Sequence, residues 1–290
     1  MNDDNKSVVF VDAYNLIYRA FHGNKANMKN LEGLPTNAVY TTINMLNKIR
    51  KSFNNLTYCV AVFDGGKNFR EDLDENYKLN RKPMPDNLRI QMPYIKEAFD
   101  ILGWPTIKAE NVEADDVIGS LGLRSSKAGY NTYIISGDKD FRQLVSENLH
   151  VLDTMQDICY DRDMVKEKMG IYPENVVAYL SLLGDSSDNV IGVDKIGETT
   201  AAKLLNEYGD IEGIRRNQEI IKGKVGENIR TAFANGQIDK NLQLIKLKTD
   251  LDLKYTSKEL RFKEIDQERW IDFCTKMNFK KLMSTSLKPF

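Results

Sequence analysis

The chain has 290 residues, 41% of them hydrophobic, which is enough for one large core or a core with a smaller appendage and too apolar for wholesale disorder. Its three cysteines, Cys59, Cys159 and Cys274, form no CxxC pair, which argues against a disulfide framework and a zinc site and points to a reducing, cytoplasmic setting. The balance of 41 Lys+Arg against 42 Asp+Glu selects no partner, the polar start offers no signal peptide or membrane span, and His22 and His150 leave few candidates for histidine chemistry.

Val8-Val9-Phe10-Val11 reads as a buried strand that stops at Asp12. A helix is predicted over 38–51. Tyr58-Cys59-Val60-Ala61-Val62-Phe63 is a second strand, stopping at Asp64. Residues 66–90 form a long polar insertion that mixes bases with aromatics, and loops of that length in compact domains are usually functional or disordered. Helices are predicted over 92–102 and 115–128. A third strand, Thr132-Tyr133-Ile134-Ile135, runs through Ser136-Gly137 to Asp138. Continuous apolar runs suit parallel strands covered on both faces. The expected fold is α/β, a central mostly parallel sheet flanked by helices. From about residue 170 helical patterns dominate. A turn-rich acidic segment, Gly184-Asp185-Ser186-Ser187-Asp188-Asn189, precedes a helix over 198–208. Leu251-Asp252-Leu253 suggests a strand, and an amphipathic helix from Gln267 turns Trp270, Phe273, Cys274 and Met277 inward. The expected organisation is a core over 1–170, including the insertion, with a helical region over 171–290 packed on it.

Acids collect at the strand ends. A single aspartate after a strand is most often a cap. Asp12, Asp64 and Asp138 at equivalent ends of a parallel sheet would project into one crevice. Glu113-Ala114-Asp115-Asp116 opens a helix, Asp138-Lys139-Asp140 follows a strand, and Asp185 and Asp188 share a turn. Nine carboxylates in one cleft would repel and resist ionising unless cations compensated them. Oxygen ligands without His or Cys suit Mg²⁺ or Mn²⁺. Nine suggest two ions, an arrangement that stabilises the attacking and leaving oxygens of a phosphoryl displacement. Setting the nine aside leaves 33 of the 42 acids against 41 bases, a basic remainder for phosphates. Residues two apart on a helix face roughly opposite ways, so Glu113 and Asp115 can share a site only if the helix starts after Glu113. Asp12 is followed by Ala13 and Tyr14, so the second acid of a D-x-D phosphatase is missing.

Further motifs fall in order around these acids: Tyr18-Arg19-Ala20-Phe21-His22, Val62-Phe63-Asp64, Phe69-Arg70, Tyr77-Lys78-x-x-Arg81, Val112-Glu113-Ala114-Asp115-Asp116-Val117-Ile118-Gly119 and Gly137-Asp138-Lys139-Asp140. Together they resemble the 5′-3′ exonuclease (flap endonuclease) domain of bacterial DNA polymerase I and its stand-alone bacterial and phage relatives. The resemblance covers nearly the whole chain. It implies a PIN-like core and a monomeric, structure-specific 5′ nuclease. Such an enzyme acts on DNA with a 5′ flap or 5′ end, and on RNA–DNA primer junctions in primer removal and repair, leaving 5′-phosphate and 3′-hydroxyl ends.

By that resemblance Asp12, Asp64, Glu113, Asp115 and Asp116 form a first metal group, and Asp138, Asp140, Asp185 and Asp188 a second. The 66–90 insertion would be a helical arch with Lys78 and Arg81 on the scissile phosphate. Arg19 and Arg70 would be further phosphate contacts, and Tyr77 would stack on a base or pack. Residues 185–207 would contain a helix-hairpin-helix element that grips duplex through Gly192, Lys195 and Gly197, with K⁺ held by its turn. Here the chain departs from the family pattern, with Lys195 in place of a glycine and Thr199 in place of a lysine, which leaves the turn geometry and the K⁺ site open. A catalytically silent relative that only binds branched DNA would have lost some of the acids, and all nine are present. A PIN-type RNase would be shorter and would lack the arch and hairpin segments.

Overall fold

The computed structural model describes residues 6–53, 56–256 and 258–283; the polar start at residues 1–5 lies outside them. The first half runs β1 (Ser7–Asp12), α1 (Ala13–Gly23), α2 (Asn37–Lys51), β2 (Leu56–Phe63), α3 (Phe69–Leu73), α4 (Asp86–Arg89), α5 (Met92–Ile101) and β3 (Thr106–Lys108). It continues with α6 (Ala114–Lys127), β4 (Asn131–Ile135), a 3₁₀ turn at Lys139–Leu144, β5 (Leu149–Asp153), β6 (Ile158–Tyr160) and α7 (Arg162–Met169). The strands form one sheet in the order β3-β2-β1-β4-β5-β6, parallel throughout except for β6.

Alternation along each strand divides the core in two. Val8, Phe10, Val60, Val62 and Ile134 face one side, against Ile118 and Leu121 of α6. Val9, Val11, Cys59, Ala61 and Phe63 face the other, against Leu16, Ile43, Ile95 and Phe99. Both faces are covered, which is why the runs 8–11 in β1 and 59–63 in β2 are apolar without alternation. Burying each such side chain contributes roughly 1.5–3 kcal/mol before entropy is counted.

The second half contains α8 (Val176–Leu183), the short strands β7 (Gly184–Asp185) and β8 (Val190–Ile191), and α9 (Glu198–Tyr208). It ends with α10 (Ile211–Asn217), α11 (Gly223–Ala234), α12 (Gln237–Ile245), α13 (Gln267–Met277) and α14 (Lys280–Met283). Helices α8 to α12 share the core of the α6 face. The tail does not stay with them. Trp270, Phe273, Cys274 and Met277 of α13 pack into the opposite core with α1, α2 and α5. Phe262, on the approach to α13, meets Trp104 edge-on at 5.1 Å.

Two expectations change. Residues 251–253 form no strand, because the Arg124 guanidinium takes the Leu251 and Leu253 carbonyls at 3.3 and 3.2 Å. The 66–90 insertion is helical only in the short α3 and α4. Between them, residues 76–81 lie against the turn that joins β7 to β8. Lys78 N–H donates to the Asp188 carbonyl at 2.9 Å, Asn80 Nδ2 to Ser186 O at 2.7 Å, and Asn189 Nδ2 to Asn76 O at 2.8 Å. Among the described residues no helix is long and apolar enough to cross a membrane.

The segment between β8 and α9 forms a tight turn despite its lysine. Lys195 takes φ +63°, the left-handed region a glycine would occupy, and Ile196 N–H closes the turn onto Val193 O at 3.1 Å. That conformation strains an L-residue by its Cβ. Lys195→Gly is therefore expected to raise the unfolding free energy by roughly 0.5–1 kcal/mol, read as a higher urea midpoint at unchanged slope. A lowered midpoint would show that the lysine side chain contributes more than its backbone costs.

Candidate active site

The sheet sets the site. Asp12 is the last residue of β1, Asp64 follows β2, and Asp138 follows β4, so three adjacent strands end in carboxylates. Each carboxylate also holds the next element. Asp12 Oδ1 caps α1 through Asn15 N–H (3.0 Å), and Asp138 Oδ1 caps the 3₁₀ turn through Asp140 N–H (2.9 Å). Asp64 Oδ1 accepts Ala114 N–H (2.9 Å) at the start of α6. Helix α6 begins at Ala114, and Glu113 precedes it with extended backbone, φ −68° and ψ 147°. The break that the acidic motif required is present, and Asp115 consequently points into the cleft.

A cavity of about 780 Å³ opens there. Asp12, Asp64, Asp115 and Asp138 line it together with Lys78, Arg81, Lys82, Lys108 and the rings of Tyr14 and Tyr18. Burial, with the neighbouring charges of Asp64 and Asp138, pushes the Asp12 carboxyl up to about 7. Burial and the charges of Asp12 and Asp138 raise Asp115 well above the ordinary carboxyl range. Asp138 is raised as well, by burial and then by Asp188 and Asp185. Asp140 is likewise raised well above that range, by burial and by Asp138, Asp185 and Asp188, and its Oδ1 is buried without a hydrogen-bond partner.

Cations already answer part of this charge. Lys78 Nζ donates to Glu113 Oε1 and lies 3.7 Å from Asp188 Oδ2. Burial works against the Lys78 ammonium, but Glu113, Asp188 and Asp115 outweigh it and raise its pKa. Burial alone would raise Asp188; Lys78, Arg81 and the Tyr77 hydroxyl hold it below its ordinary value instead. Asp185 Oδ1 accepts Ser187 N–H (2.8 Å) and Oγ–H (2.6 Å), and its Oδ2 is 3.4 Å from Lys139 Nζ.

Burial counts against two expected roles, those of Arg70 and Asp116, and selects packing for Tyr77. Arg70 is 1% exposed and forks onto Asp116, with Nη1 to Oδ2 at 2.7 Å and Nη2 to Oδ1 at 2.8 Å, so it cannot reach a phosphate. Asp116, also 1% exposed, further accepts Lys248 N–H at 2.8 Å and lies with Arg70, away from the cavity lining. Tyr77 is 6% exposed and donates to Asp188 Oδ2 at 2.8 Å, so it packs and does not stack on a base. Gly192 also has a packing reason, since a Cβ there would lie 2.0 Å from Leu183 O.

Several participants were not singled out as site residues from the sequence. Ser136 Oγ donates to Asp12 Oδ2 (3.1 Å) and accepts Asp138 N–H (3.1 Å), tying two strand ends together. Its place between strand and Gly137-Asp138 was the available clue. Asn68 Nδ2 donates to Glu113 Oε1 at 3.0 Å, and Tyr14 and Tyr18 reach the cavity from α1.

The donor set fits hard divalent ions: buried carboxylates that repel one another, an unpartnered Asp140 oxygen, and no His or Cys among them. Among the described residues no three acidic, His or Cys side chains are yet gathered closely enough to hold an ion, so the carboxylates ring the cleft and do not form a closed cage.

The architecture has known counterparts. The flap endonuclease D15 of T5, in a complex with DNA and metal ions, superposes with a TM-score of 0.70 at 22% identity, over 84% of this chain and 90% of that one. At that identity the likeness fixes the fold, that of the PIN-like 5′ nucleases. A family model for the N-terminal resolvase-like domain of 5′-3′ exonucleases matches residues 7–170, and one for their C-terminal SAM fold matches residues 171–268. A 5′-3′ exonuclease of Aquifex aeolicus is 33% identical over 286 residues, 98% of this chain and 96% of that protein. DNA polymerase I of Caldicellulosiruptor bescii is 36% identical over 285 residues, and there this chain spans only 33% of the relative's length. The chain belongs to the 5′-3′ exonuclease family and is a nuclease.

The raised carboxyls set a pH dependence. Between the ordinary aspartate value of 3.8 and about 7, folded Asp12 holds more proton than unfolded Asp12. The contribution of Asp12 to stability without divalent ions must then fall as pH rises through that window and level off above it. The thermal midpoint in EDTA is expected to decline across it, and Asp12→Asn to flatten the decline. A midpoint that climbs with pH there would contradict the burial of these charges.

Proposed function

We propose that this chain hydrolyses DNA at a 5′ flap or 5′ end with the help of two divalent ions, Mg²⁺ or Mn²⁺, leaving a 5′-phosphate and a 3′-hydroxyl. One observation carries the proposal: the cavity that collects Asp12, Asp64, Asp115 and Asp138 also collects Lys78 and Arg81. A phosphodiester needs both kinds of wall, acids to hold cations and bases to meet its oxygens. Asp12, Asp64, Asp115 and Glu113 would hold one ion; Asp140, Asp185 and Asp188 would hold the other, with Asp138 shared. Release of Glu113 Oε1 by Lys78, with Oε2 kept on Arg70, and side-chain rotation of the other carboxylates would bring them in. When bound, the ions supply an activated water and offset charge on the phosphate.

The chain's own groups do the rest. Lys78 sits between Glu113 and Asp188, and exchanging those carboxylates for a phosphate oxygen places its ammonium where charge develops. Arg81 stands beside it on Asp188. Arg19 suits a phosphate because its Nε and Nη1 are buried without a partner. The start of α9 at Gly197 has no side-chain cap, so its N–H groups are free for duplex backbone, with Lys195 exposed next to them. The left-handed Lys195 keeps the tight turn that a hairpin K⁺ site needs.

A 5′-flap duplex incubated with Mg²⁺ should lose its flap and acquire a 5′-phosphate; tight binding without cleavage would instead favour a silent branched-DNA binder. Asp185→Asn should lower cleavage on the order of 100-fold or more while flap affinity stays within a few-fold. Lys78→Ala should lower kcat at saturating substrate by a comparable factor, and an unchanged kcat would remove it from the transition state.

A further inference from the structure

Arg70 stands between the start of α6 and the helical second half, behind the cavity lining, and its donors are fully committed. Nε donates to Leu244 O at 2.7 Å, Nη1 to Glu113 Oε2 at 2.9 Å and Asp116 Oδ2 at 2.7 Å, and Nη2 to Asp116 Oδ1 at 2.8 Å and Lys246 O at 3.2 Å. A guanidinium has five N–H groups, and these are five bonds. Two of the acceptors are carbonyls at the C-terminal end of α12, where a helix leaves its last C=O groups unsatisfied and favours a cation.

The same short stretch is held by other side chains around the site. Lys248 N–H donates to Asp116 Oδ1 at 2.8 Å, Leu247 N–H to Gln143 Oε1 at 3.0 Å, and Gln143 Nε2 to Ile245 O at 3.1 Å. Ser120 Oγ donates to Lys248 O at 3.2 Å. Residues 244–248 and the first turn of α6 are thus fastened together, and among the described residues only the Arg70 side chain hydrogen-bonds both Glu113 and Asp116 as well as the end of α12.

We propose that Arg70 is a positioning residue: it fixes Glu113, through Asp116 and the end of α12, in the place where Glu113 serves a metal ion, so the metal site depends on the docking of the helical half. The proposal rests on the nuclease reading above. It assigns Arg70 no contact with DNA. Lysine cannot substitute, because a point-like ammonium lacks the planar fork that bridges two carboxylates and two carbonyls.

The test uses the full chain with Arg70→Lys, which keeps the charge, and Arg70→Met, which keeps the length. Mn²⁺ binding to the DNA-free protein, measured by calorimetry, is expected to weaken about tenfold or more in both. Affinity for a 5′-flap duplex in EDTA, and its salt slope, should stay within twofold of wild type. The opposite pattern overturns the proposal: Mn²⁺ affinity unchanged, DNA affinity reduced and the salt slope smaller by about one, the mark of a lost phosphate contact. Should the variants fail to fold, hydrogen exchange on the wild type decides. The Lys248 amide is expected to gain protection when Mn²⁺ is added, and an unchanged exchange rate overturns the proposal. A wild-type chain that binds no Mn²⁺ is a separate result, which sinks the metal reading and this proposal together.

Discussion

Mutual repulsion among carboxylates that cannot escape into water is the constraint on which the rest of this structure turns. Parallel strands deliver Asp12, Asp64 and Asp138 to one edge of the sheet, and the start of α6 adds Asp115. The raised pKa values of Asp12, Asp115 and Asp138 record the cost of gathering them. A chain that served stability alone would not bury these groups together. The surroundings are arranged to restrain that charge: Arg70 on Asp116, Lys78 on Glu113, Arg81 on Asp188 and Lys139 beside Asp185.

That restraint explains the course of the 66–90 segment. Its residues 76–81 carry both the bases that approach the acids and the backbone that hydrogen-bonds the β7–β8 turn. The turn in turn carries Asp185 and Asp188. Acid-bearing and base-bearing segments are therefore held against each other by neutral amide contacts. Lys78 itself takes φ +56°, a backbone conformation that aims its side chain inward between Glu113 and Asp188.

Much of the architecture was legible in the chain because it follows from local rules. Apolar runs without alternation meant strands covered on both faces, and the two cores split at successive residues of β1 and β2 as strand geometry demands. The start of α6 after Glu113 followed from helical angles once Glu113 and Asp115 were required to share a site. What was not legible depended on distant partners. Arg70 was expected on a phosphate only through the family resemblance; its burial comes from carbonyls at Leu244 and Lys246, which no local pattern announces. Tyr77 was hidden in the same way by Asp188. Leu251-Asp252-Leu253 has a strand-like pattern, but Arg124 claims its carbonyls.

The return of α13 to the first half has a consequence for how the molecule comes into being. The face built from α1, α2 and α5 receives Trp270, Phe273 and Met277 only from near the far end of the chain. During synthesis that greasy surface must wait, bare, while the whole helical region emerges from the ribosome. Contacts between such remote stretches close slowly, and an interrupted product would carry a sticky, unfinished flank. The boundary at residue 170 that separates the two family matches is therefore no place to divide the protein into independently folding pieces.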